Sequence, residues 1–166
     1  MSLYFLKYLP RFVPFFTALI IAFLEAVFFI HFKQDIFLIS FLMGFIFYFS
    51  VFNSKNFNLF FVLFIGFVVD FLLFFPIGFE TVLLITMSFF AYFFKRFISS
   101  LSFKGQWLIF SIDLAIIFIF AILLFSLSSE IPLPFLSLFL NYISIVIFYP
   151  FIASFCAFLN KKTGGV

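Results

Sequence analysis

Charge is what this chain has least of: Asp, Glu, Lys and Arg together make up 9% of its residues, against 67% apolar. Soluble domains run about 25% charged and about 45–50% apolar. A water-soluble fold therefore has too little polar surface to cover this chain, and lipid is the expected solvent. Histidine, cysteine and tryptophan occur once each. A single Cys excludes an intramolecular disulfide and any Cys-based metal site. Cys156, set in an apolar run, reads as a small buried hydrophobe. His31 reads as a solvated loop residue, because a metal needs further ligands converging on it and no local spacing offers them. There is no Gly-x-Ser-x-Gly elbow, no His-Glu-x-x-His and no phosphate-cradling glycine loop. A net charge of +3, scattered between apolar runs, does not suggest nucleic acid. What is abundant is Phe, 39 of 166 residues. In lipid Phe serves where Leu would, so these rings read as apolar filler.

The mean hydropathy of +1.41 is spread over six apolar runs. After a short basic leader (1–11, with Lys7 and Arg11), expected spans cover about 12–30, 36–52, 59–75, 79–94, 107–128 and 135–159. The breaks fall at 31–35, at the turn-rich 53–58, at Pro76-Ile77-Gly78, at the more polar 95–106 and at 129–134. Trp107 is placed as an interfacial anchor, and the tail from Asn160 as frayed. No cleavable signal peptide is expected, since the first apolar run is long enough to span and no small-residue cleavage pattern follows it. A spanning helix needs about 17–25 residues. The third and fourth runs are at the short end, so a re-entrant hairpin over 59–94 stands as the alternative to two spans.

Lysines and arginines settle an orientation. Lys7, Arg11, Lys55, Lys95, Arg96, Lys104, Lys161 and Lys162 fall on one side, and Lys33 alone on the other. The excess of basic residues in cytoplasmic loops then puts both termini in the cytoplasm of a multi-pass protein. In this topology Glu25 and Asp70 lie about five residues from the outer ends of their spans, less than about 8 Å below that boundary. Glu80 starts the fourth span on the same side, and Asn141 enters from it. Glu25, Asp70, Glu80 and Asn141 are thus candidates for one polar cluster. Asp113 is expected near the opposite, cytoplasmic face.

The stretch Gly66–Gly78 concentrates these features. An acid at membrane depth costs roughly 2.5–3.5 kcal/mol on insertion scales, which makes it a functional-site candidate. Gly66 precedes Asp70 by one turn on the same helix face, and a Gly there lets another helix come close. Two readings of Asp70 stand: a polar helix crossing that positions a partner or ligand, or a structural role, as a cap on the start of the fourth helix or as an acid kept neutral by desolvation. Glu80, in that helix's first turn, is accounted for by the helix dipole. No paired acids share a depth suited to proteolysis, so no catalytic constellation, cofactor or metal is expected.

Gly66-x-x-x-Asp70, seven linker residues, Gly78 and an apolar span ending Ala91-Tyr92-Phe93 resemble the signature of the rod shape-determining protein MreD family. Tyr149-Pro150 in the last span, before a basic tail, fits the same pattern. The resemblance implies an all-α integral membrane protein of six helices, similar in fold to the substrate-binding subunits of energy-coupling-factor vitamin transporters. It implies a non-catalytic scaffold of the bacterial inner membrane in the cell-elongation complex, supporting peptidoglycan synthesis and cell shape. The implied partners are MreC and, through it, MreB, RodA and a penicillin-binding transpeptidase. Gly66, Asp70, Pro76, Gly78, Tyr149 and Pro150 become candidates for partner docking or helix packing. One departure is plain: where family members carry small polar linker residues, this chain has Phe74-Phe75-Pro76. Apolar contact with a partner is expected there instead of hydrogen bonding. The rival expectation is a vitamin-binding transporter subunit, docking on its coupling partner through the four-residue repeat Ala18, Ala22, Ala26.

Overall fold

The computed structural model describes the backbone of residues 2–31, 41–54, 57–74, 76–128 and 135–162, and the side chains of 12–28, 31, 41–54, 57–74, 76–123, 126 and 138–161. All the regular structure within these residues is helical: α1 (Ser2–His31), α2 (Phe41–Phe52), α3 (Leu59–Leu73), α4 (Phe79–Phe93), α5 (Lys95–Ser100), α6 (Phe103–Ser128) and α7 (Phe135–Lys162). Phe103–Leu123 of α6 and Leu138–Lys161 of α7 are long and apolar enough to cross a membrane. The other apolar segments, Phe12–Phe28 of α1 and the whole of α2, α3 and α4, are shorter.

Several expected boundaries move. The basic leader is the first part of α1, which starts at Ser2, and His31 closes that helix instead of opening a loop. The connection at 95–106 contains α5, and α6 begins at Phe103. The tail is ordered at its start, because α7 runs on to Lys162 and Asn160 is buried, accepting a 2.9 Å hydrogen bond from Asn53 Nδ2. Asn53 therefore belongs to the interior and not to a polar loop. The breaks at 32–35 and 129–134, with Lys33, Asp35 and Glu130, lie outside the described residues, as do Lys55, Phe75 and the side chains of Lys7, Arg11 and Lys162.

The core is built on α2, which is apolar all round and is buried at most of its positions. Phe45, Phe47 and Phe49 are fully enclosed, and α2 touches α1, α4, α5 and α7. Gly44 brings α2 against α7: an added Cβ would sit 3.0 Å from Ile152 Cδ1. Ser50 and Ser88 join α2 to α4 through a 2.9 Å hydroxyl pair. Ala18, Ala22 and Ala26 are all buried in the packing of α1, which lies against α2 and α3. Small residues at four-residue spacing permit that close approach. The stripe is thus used inside the bundle.

Helix α7 accommodates Pro150 in its interior. Proline has no N–H, so the carbonyl four residues earlier loses its helical donor. That carbonyl is Val146 O, and Trp107 Nε1–H of α6 donates to it at 2.8 Å. The neighbouring Tyr149 is buried, its ring stacked on Phe110 at 4.0 Å and set edge-on to Phe47. Tyr149 and Pro150 are therefore helix-packing residues that join α6, α7 and α2.

Candidate functional site: the α3–α4 crossing

Helices α3 and α4 form an antiparallel hairpin whose turn lies at the end of the bundle opposite α5. The chain leaves α3 through Phe74, which adopts a left-handed conformation (φ 55°), with its N–H donating to Asp70 O. This is the αL helix ending, normally taken by Gly. Pro76 O then accepts from Phe79 N at 3.0 Å, and Gly78 enters α4 at φ 100°, a region that L side chains rarely adopt. Pro76 and Gly78 act as turn residues.

Asp70 is 1% exposed and points at the first turn of α4. Its Oδ1 accepts Glu80 N–H at 2.7 Å. Its Oδ2 accepts Gly78 N–H at 2.9 Å, Thr81 N–H at 3.4 Å and the Thr81 hydroxyl at 2.6 Å. A helix start leaves four backbone N–H groups without partners, and an acid there also complements the helix dipole. Asp70 thus caps α4 from the preceding helix, and its acceptor capacity is filled. These are the hydrogen bonds of a cap.

Gly66 makes the cap reachable. A Cβ at Gly66 would lie 2.6 Å from Thr81 Cα and 2.9 Å from its hydroxyl oxygen, so only Gly fits between the two backbones. Thr81, which the sequence did not flag, is the partner of both Gly66 and Asp70. The only sign of it was its place in the turn after Gly78.

Glu25 repeats the device. Its Oε1 accepts Leu42 N–H at 2.9 Å, so an acid near the end of α1 caps the start of α2. Glu80 lies within electrostatic reach of both Glu25 and Asp70. Three of the four expected cluster members therefore gather at this end. Asn141 is not tied to them: its Oδ1 is buried without a hydrogen-bond partner among the described residues.

Asp113 sits inside α6. One helical turn separates it from Phe110, whose ring meets Phe47 of α2. Because α6 runs opposite to α2, that turn carries Asp113 toward the level of the first turn of α2, where Glu25 binds. Asp113 is ten residues, about 15 Å, from the helix start at Phe103. The side chain is 1% exposed and its Oδ2 has no hydrogen-bond partner among the described residues.

Among the described residues no three His, Cys, Asp or Glu side chains are placed to hold a metal ion. Comparison of the chain with protein-family models, curated proteins and solved structures finds no match in any of the three.

Proposed function

We propose that this chain is a non-catalytic scaffold of a bacterial inner membrane, crossing it six times with both termini in the cytoplasm. Under this reading the α3–α4 hairpin counts as two spans, since α4 lies beside the central α2, joined to it through Ser50 and Ser88. The charge distribution supports the orientation. Lys95, Arg96, Lys104 and Lys161 are at the end of the bundle where α2, α4 and α7 finish, whereas Glu25, Asp70 and Glu80 are at the other. In the family that the sequence resembles, the partner is MreC of the elongation complex, and through it MreB, RodA and a transpeptidase.

One observation carries the scaffold reading. The crossing turns Asp70 and Thr81 inward onto each other and its large apolar side chains outward: Phe71 is 79% exposed, Phe74 87% and Ile77 84%. A site built for chemistry needs the reverse, an acid with acceptor capacity to spare beside an enclosed volume. The hairpin tip is a rigid apolar surface suited to a partner's membrane-proximal segment.

The test is co-purification of the tagged chain with MreC, alongside cell shape. Phe74→Ser with Ile77→Ser is expected to abolish co-purification and rod shape while leaving the melting temperature in detergent unchanged. Unaltered co-purification and shape in Gly66→Leu and Asp70→Leu would overturn the reading. The transporter-subunit alternative draws no support from Ala18, Ala22 and Ala26, which the bundle itself covers.

A further inference from the structure

The basic end of the bundle has a construction of its own. Helix α5 is pinned across it by Ile98, which is fully buried, and touches α2, α4 and α6. The turn into α6 is held by Gln106 Nε2–H, which donates to Leu101 O at 2.9 Å. On this fixed elbow Arg96 and Lys104 are exposed, and among the described residues neither charged group has a hydrogen-bond or ion-pair partner. Of the described acids, Glu25, Asp70 and Glu80 are at the far end, and Asp113 is buried nine residues along α6 from Lys104. Around these cations stand large apolar side chains, also exposed: Phe97, Phe103 and Trp107. Lys95 shows the same pairing of cation and ring, its ammonium 4.1 Å from the centre of Tyr92.

We infer that the α5 elbow is a docking surface for anionic phospholipid headgroups. Cations interleaved with aromatic rings at the ends of apolar helices match the hydrocarbon–water boundary, where rings take the interface and cations take phosphate. An acidic protein surface would use the cations but leave the rings in water. A guanidinium such as Arg96 holds a phosphate through two parallel hydrogen bonds, and the ammonium of Lys104 supplies a second point charge. The inference rests on the membrane-spanning part of the proposed function and is independent of any scaffold partner.

Trp107 is the chain's single tryptophan, three residues from Lys104. It therefore reports which lipid lies beside this elbow. The full chain is reconstituted in phosphatidylcholine vesicles containing brominated phosphatidylglycerol or brominated phosphatidylcholine, and Trp107 fluorescence quenching is measured. The expected result is stronger quenching by the brominated phosphatidylglycerol, with a relative association constant well above one. Each Lys or Arg near an anionic surface contributes about fivefold. Arg96→Gln with Lys104→Gln is therefore expected to bring the ratio close to one. Arg96→Lys with Lys104→Arg should keep it, and about 1 M salt, with a Debye length of about 3 Å, should remove it. Equal quenching by the two lipids, or a preference that survives the double Gln variant, overturns the inference and leaves the membrane reading standing. A preference abolished by equimolar inorganic phosphate also overturns it, because the surface would then be reading free phosphate. No quenching by either lipid would instead remove the membrane reading itself.

Discussion

Asp70 shows how one side chain can hold a helix–helix turn together. It offers two oxygens to four donors at the start of α4 and its N-cap Gly78, and the three backbone donors among them are groups that a helix start otherwise leaves unpaired. In Asp70→Asn, one oxygen becomes an NH2 group facing N–H donors. Hydrogen bonds to a charged acceptor contribute about 1.5–3 kcal/mol, and unsatisfied buried groups cost about 1–3 kcal/mol. The expected outcome is a loss of about 2 kcal/mol, read as a lowered midpoint in denaturant titration of the detergent-solubilised protein. At Gly66 the obstacle is backbone, Thr81 Cα, which cannot rotate away. Gly66→Ala is expected to cost about 1–3 kcal/mol, the range for an overpacked interior. Phe74 gives the opposite sign. Its left-handed backbone costs a non-glycine residue roughly 1–2 kcal/mol, and its 87% exposed ring packs little. Phe74→Gly should therefore raise the midpoint, although the proposed partner contact would be lost with the ring.

At the scale of the element, the chain uses one device twice. An acid near the end of an odd-numbered helix caps the start of the next: Glu25 of α1 for α2, and Asp70 of α3 for α4. Such caps join neighbours in sequence without needing water, which the hydrocarbon interior does not supply. The α6–α7 pair is fastened differently, by the carbonyl that Pro150 leaves open and the indole N–H that fills it. Trp107→Phe is expected to cost about 1–2 kcal/mol through the unsatisfied Val146 carbonyl. In a Pro150→Ala background, the new alanine supplies its own N–H to Val146 O, so the same Trp107→Phe change should cost less. A double-mutant cycle measures that coupling; strict additivity would mean that the indole bond is not a substitute for the missing helical one.

At the scale of the whole molecule, the acids and bases are sorted to opposite ends, with Asp113 between them. The proposed orientation makes this checkable by labelling with a membrane-impermeant maleimide. Cys156 is buried and should remain unlabelled in the folded protein. Ile77→Cys, on the exposed hairpin tip, is expected to react from the outer side of intact cells. Ser100→Cys, at the end of α5, is expected to react only in inverted vesicles. The reverse pattern would turn the bundle over, and labelling of both from one side would break the six-span reading.

Much of this was legible in the residues themselves. Apolar runs and the scarcity of charge point to helices, because helical backbone satisfies its own hydrogen bonds. Pro76 and Gly78 place a turn by their own backbone restrictions, and Gly66 marks a close approach before its partner is known. What the tertiary structure decided is pairing. Which helix faces Gly66, which N–H groups fill Asp70, and where Asn53, Thr81 and Trp107 find their partners all depend on contacts between distant residues. Local sequence sets what each group needs, hydrogen-bond partners or apolar neighbours. Only the packed bundle determines which group meets that need.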